Sequence, residues 1–146
     1  MRARFLCFIA GSALVASVAG CGSHSAPPGP NLAKTYPVEG KVLFKDKSPL
    51  RGGIIYFTPV ETKDGSHIRY EGNSLIDAEG HFKIGLNGNE AGVAEGDYKV
   101  SVMPRDYKEL PNSNSARISN PYRNQGTTPI TLKVKPEKNT FQVEIQ

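Results

Sequence analysis

From Tyr36 to the end of the chain, apolar and polar residues alternate with a period of two, interrupted by turn-rich intervals. Val38, Gly40, Val42 and Phe44 fall on one face of an extended segment, and Glu39, Lys41, Leu43 and Lys45 on the other. That period predicts a half-buried strand. Ile54-Ile55-Tyr56-Phe57-Thr58 is apolar on both faces and β-prone, as a central strand would be, and Pro59 ends it. Leu75-Ile76 and the alternating Phe82, Ile84 and Leu86 flank Asp77-Ala78-Glu79-Gly80. Asp at the first position and Gly at the fourth suit a type I turn, so a hairpin is predicted there. Tyr98, Val100 and Val102 alternate with Lys99 and Ser101 up to Pro104. A closing hairpin is predicted from Ile130, Leu132 and Val134, the turn Pro136-Glu137-Lys138-Asn139, and Phe141, Val143 and Ile145. No segment sustains a 3.6-residue period. The pattern predicts an all-β fold, a single antiparallel β-sandwich of about seven strands.

Two intervals between these strands carry more than turn chemistry. Glu95-Gly96-Asp97-Tyr98 has the form of a tyrosine corner, in which a Tyr near a strand start ties its hydroxyl to nearby backbone. Residues 104–129 are the longest stretch without periodicity, and loops of that length in compact domains are usually functional or disordered. Tyr107, Arg117, Tyr122 and Arg123 make this stretch a candidate binding loop, since Tyr and Arg anchor interfaces. The competing expectation, which the length of the loop favours, is that Ile118 and Tyr122 pack against one end of the sandwich and pin it.

The chain before Tyr36 obeys a different pattern. Arg2 and Arg4 precede an uncharged run from Phe5 to Val18, shorter than the roughly 20 apolar residues needed to span a bilayer. A short apolar run behind a basic start reads as a secretory signal rather than a membrane anchor. Val18-Ala19-Gly20-Cys21 closes the run and resembles the bacterial lipobox. The resemblance implies cleavage between Gly20 and Cys21 and lipidation of Cys21, which becomes the acylated N-terminus. Several acyl chains hold a protein to a membrane where one holds only marginally. Gly22 follows where an Asp would retain the protein at the inner membrane under the enterobacterial sorting rule, which leans towards the outer membrane. The Ser, Gly and Pro that dominate residues 22–31 predict an extended tether. The organisation expected is therefore a signal peptide over 1–20, a lipidated Cys and tether over 21–35, and a domain over 36–146.

Composition narrows the chemistry. The formal charge of +4 falls to +2 once Arg2 and Arg4 are removed, too little for a nucleic-acid partner, and no basic stripe supports one. Cys7 and Cys21 are the two cysteines, so the mature chain keeps one, with no internal disulfide and no thiolate metal site. His24 has no second ligand near it, and Asp77 and Glu79 lack the further carboxylates of a calcium loop, so no metal or cofactor is expected. A Ser-His-Asp hydrolase built on His67 or His81 lacks a nucleophile elbow. A partner could add a strand to an open sheet edge, but Lys41, Lys45, Lys133 and Lys135 are read instead as guards against unwanted pairing there.

Taken in order, Tyr36-Pro-Val-Glu-Gly-Lys-Val42, Pro49-Leu-Arg-Gly-Gly-Ile-Ile-Tyr-Phe-Thr-Pro-Val60, Ile76-Asp-Ala-Glu-Gly-His-Phe82, Gly96-Asp-Tyr-Lys-Val100 and the closing strands resemble a known type. They are similar to the small lipoproteins with a carboxypeptidase regulatory-like domain that are numerous in planctomycete bacteria. The resemblance implies a transthyretin-like or immunoglobulin-like sandwich and brings no catalytic residues. The function expected is a lipid-anchored cell-envelope protein, held by the lipid on Cys21, whose noncatalytic domain serves as a structural or protein-binding module. Its partner would be an envelope protein or a glycan. A carbohydrate-binding module is the alternative, although Trp is absent and nothing places Tyr70, Tyr107 and Tyr122 on one surface. A transthyretin-related hydrolase would end in Tyr-Arg-Gly-Ser, whereas this chain ends Val-Glu-Ile-Gln and carries Tyr122-Arg123 well inside.

Overall fold

A computed structural model describes residues 33–60, 69–84, 92–105 and 112–146. Among them lie nine strands, β1 (Thr35–Tyr36), β2 (Val38–Phe44), β3 (Ile54–Pro59), β4 (Gly72–Leu75), β5 (His81–Ile84), β6 (Val93–Ala94), β7 (Gly96–Met103), β8 (Thr131–Val134) and β9 (Asn139–Ile145). Two sheets face each other, one in the order β5-β2-β9 and one in the order β4-β3-β7-β8, and the short β1-β6 pair stands apart. The fold is an all-β sandwich.

The period-two residues build its core. Val38, Val42 and Phe44 of β2 are buried, as are Ile55 and Phe57 of β3, Val100 and Val102 of β7, and Val143 and Ile145 of β9. Each such side chain contributes about 1.5–3 kcal/mol when fully removed from water. Phe57 joins the layers, its ring centroid 6.0 Å from that of Phe82 and 6.2 Å from that of Phe141 across the sandwich. Those two rings flank Gly40 in the facing sheet, where Phe82, Gly40 and Phe141 share a row. A Cβ at Gly40 would stand 2.0 Å from the Phe141 carbonyl oxygen, so the row closes only over glycine. On β7, Tyr98 is fully buried and its hydroxyl donates to the Ala94 carbonyl at 2.9 Å, the backbone tie expected of a tyrosine corner. Burial pushes the Tyr98 phenol above its ordinary pKa.

Connectivity departs from the sequence expectation in three places, for one physical reason. The closing strands do not form a hairpin: β8 pairs with β7, while β9 pairs with β2 in the other sheet. The β2-β9 pair is parallel, so the three-stranded sheet is mixed rather than antiparallel. The segments around Asp77–Gly80 likewise part company, β4 joining β3 and β5 joining β2. Two strands whose apolar faces meet across a sandwich show the same alternation as two strands paired edge to edge. Period two therefore cannot tell an arch from a hairpin.

The corner side chains make that distinction. Asn139 is buried and accepts from the Lys135 N–H at 2.9 Å while donating to the carbonyls of Lys135 (3.1 Å) and Glu137 (2.6 Å). Asp77 accepts from the backbone N–H groups of Glu79 (2.9 Å) and His81 (2.7 Å). In both corners an Asx side chain stands in for the ladder partner that a crossing strand loses. Gly80 completes the second corner with a φ of 87°, a conformation that favours glycine.

Candidate functional site

The larger described part of the long loop, residues 112–129, packs back on the sandwich. It holds two 3-10 turns, Ser115–Arg117 and Asn120–Arg123. Ile118 is 1% exposed and Tyr122 9%, and both join the hydrophobic core. Arg123 donates from Nε to the Ile118 carbonyl at 2.8 Å and from Nη2 to the Ala116 carbonyl at 3.0 Å, so its guanidinium ties the loop to itself. Arg117 lies over the Phe44 ring, 4.1 Å from its centroid, and pairs with Asp46 at 2.8 Å. The hydroxyl of Ser48 hydrogen-bonds the same carboxylate, and its N–H does so at 2.9 Å. These hydrogen bonds, that from the Ser48 hydroxyl first and that from Arg117 next, hold the Asp46 carboxyl down at about 2.

Three further polar residues lock the loop. Asn114 Oδ1 accepts from the Arg51 N–H at 2.7 Å and its amide donates to the Pro49 carbonyl at 3.0 Å. Thr128, itself buried, donates to the Val100 carbonyl at 2.6 Å. The Ser119 N–H donates to the Gln146 carbonyl at 2.7 Å. Of the candidate binding residues, then, Arg117, Tyr122 and Arg123 lie together in one loop: Tyr122 faces the core, Arg123 binds the loop's own backbone, and Arg117, still half exposed, pairs with Asp46 beside the end of β2. Tyr107, Gly20 and Cys21 lie outside the described residues.

The open surface is elsewhere. The outer face of the β5-β2-β9 sheet forms a shallow concavity of about 790 Å³. Register sets its rows: Lys83, Glu39 and Thr140 in one, His81, Lys41 and Gln142 in the next. Ser74, Leu75 and Asp77 raise a wall along the β5 side, and Leu75 is 52% exposed. The carboxylates on and beside this face are each engaged. Glu39 pairs with Lys138 at 2.7 Å, Glu144 pairs with Lys47, and Asp77 holds the corner backbone with His81 Nδ1 3.5 Å from its Oδ2. Lys41, at the centre, has no ion-pair or hydrogen-bond partner among the described residues.

Sequence reasoning passed over this face because its residues are those of any solvated strand. It also read Lys41 as an edge guard. The structure corrects that, since β2 is the middle strand of its sheet and Lys41 can protect no edge. The signal that could have found it is the weakness of the guard on β9, whose seven residues contain no proline. Among the described residues no three His, Cys, Asp or Glu side chains converge as metal ligands would. Comparison with protein-family models, curated proteins and solved structures finds no match to this chain.

Proposed function

We propose that this protein is a lipid-anchored cell-envelope protein that presents a noncatalytic β-sandwich as a protein-binding or structural module. The observation that carries the reading is the order of parts. A lipobox-like Val18-Ala19-Gly20-Cys21 is followed by a Ser/Gly/Pro-rich spacer, and among the described residues the first strand starts at Thr35, after that spacer. The lipid on Cys21 would hold the module at a membrane, and the spacer would carry it clear of the headgroups. The open face of the β5-β2-β9 sheet supports the binding half of the reading, because its side chains are not consumed by the fold in the way those of the long loop are. The carboxypeptidase regulatory-like resemblance agrees with an accessory rather than a catalytic role.

The test is metabolic labelling with a fatty acid, followed by membrane fractionation, for the wild type and Cys21→Ala. The reading predicts a labelled, membrane-bound wild type and an unlabelled variant that loses its anchor. An unlabelled wild type that fractionates as the variant does would overturn it. The binding half is tested by in-cell crosslinking of the full-length chain, with recurrent capture of one envelope protein as the expected result.

A further inference from the structure

The two edges of the three-stranded sheet are finished differently. On the β5 side, the ladder to β2 uses the residues in register with Val38, Gly40 and Val42, as the Val42 N–H to Gly80 carbonyl bond of 2.8 Å shows. His81 and Lys83 therefore turn their backbone groups outward, and both groups of His81 and the N–H of Lys83 are met. The His81 N–H donates to Asp77 Oδ1 at 2.7 Å, its carbonyl accepts from the Asp77 N–H at 3.0 Å, and the Lys83 N–H donates to Ser74 Oγ at 3.3 Å. That edge is covered.

The β9 side is not. Asn139 donates its N–H to the Pro37 carbonyl at 2.9 Å, and the Ile145 carbonyl accepts from the Lys45 N–H at 3.1 Å. In a parallel pair this places the backbone groups of residues 139, 141, 143 and 145 towards β2 and those of Thr140, Gln142 and Glu144 towards the open edge. Only the last carbonyl in that series, Gln146, is met, by the Ser119 N–H at 2.7 Å. Among the described residues nothing pairs with the outward N–H and C=O groups of Thr140, Gln142 and Glu144. The strand is seven residues long and carries no proline to blunt it.

We infer that the β9 edge takes an extended acidic peptide segment of an envelope partner as an added strand, its carboxylates turned to the Lys41 face. This rests on the binding-module reading and names the partner's chemistry. Main-chain pairing would supply the affinity, as in other strand additions. A residue placed opposite Gln142 would share the row of Lys41, two strand spacings or about 10 Å away. A carboxylate side chain and the lysine stem can together cover that span. Because Glu39, Glu144 and Asp77 are already engaged, the uncompensated charge at the centre of the face is the cation of Lys41. The charge it lacks is a carboxylate. On the other side of the added strand, alternate residues would extend the row of Phe141, Val143 and Ile145, so they would be apolar. The segment that fits alternates acidic and apolar residues.

The experiment uses the full-length chain in detergent micelles and short fluorescein-labelled peptides alternating Glu with Val or Lys with Val, read by fluorescence anisotropy. The acidic peptide should bind and the basic one should not. Gln142→Pro removes an N–H that faces the edge and leaves the ladder to β2 intact, so it should abolish binding while circular dichroism and melting stay near wild type. Lys41→Glu should weaken the acidic peptide by about tenfold and strengthen the basic one. Equal binding of the two peptides, or wild-type binding by both variants, would overturn the inference. So would a wild-type dimer in sedimentation that Gln142→Pro converts to monomer, since the occupant would then be a second copy. In cells, capture of the same envelope protein by wild type and Gln142→Pro would sink the edge inference and leave the module reading standing. Capture by neither, with peptide binding intact, would count against the module reading instead.

Discussion

The long loop and the outer face of the β5-β2-β9 sheet exchange the roles their side chains advertise. The loop holds Arg117, Tyr122 and Arg123, residue types that dominate interfaces, yet each is spent on holding the loop. The sheet face holds Lys41, Gln142, Thr140 and Glu39, which are ordinary on a strand, yet it forms an open concave surface. The difference follows from what each region must do to exist. A connection of this length stays ordered only by burying side chains and answering its own backbone groups, and large amphipathic residues do both. A strand is ordered by its ladder and its inward face, so its outward residues are released from structural duty.

Ile118→Ala should destabilise the fold by about 3 kcal/mol, seen as a lowered denaturant midpoint, because Ile118 is 1% exposed within the core. A loop that merely rests on the sandwich would lose far less. Asn114→Ala should cost about 1–3 kcal/mol, since it strands the Arg51 N–H and the Pro49 carbonyl that the amide now serves. Asp46 sharpens the picture through acid. Its carboxyl sits at about 2 against an ordinary 3.8, so its contribution is present above the ordinary value and is lost as pH falls through the folded one. Asp46→Asn should flatten that limb of the acid-unfolding curve, and Arg117→Ala should flatten it in part. Lys41→Ala and Gln142→Ala should leave stability within about 0.5 kcal/mol of wild type, measured by the same denaturant titration. A substantial loss from either would mean that the face has structural duties too.

Much of the sandwich was legible in the sequence, because burial on one face writes itself as period two. Val38, Val42 and Phe44, or Phe141, Val143 and Ile145, can be read straight off the chain as inward rows. That Ile118 and Tyr122 pin the long loop was legible because a connection of that length needs some burial to stay ordered. Pairing was not legible. Whether Pro136-Glu137-Lys138 turns a hairpin or an arch depends on Asn139 reaching the Lys135 backbone, a contact that alternation does not encode. The open face was missed for a related reason. Lys41 differs from any surface lysine only through the neighbours that register brings beside it, His81 on one side and Gln142 on the other.

Site-specific photocrosslinking in intact cells separates the two surfaces. A photoreactive residue replaces Gln142 in one full-length protein and Arg123 in another. The account predicts an envelope protein crosslinked from position 142 and none from position 123. A partner captured from 123 and not from 142 would return binding to the loop and contradict the division of labour argued above.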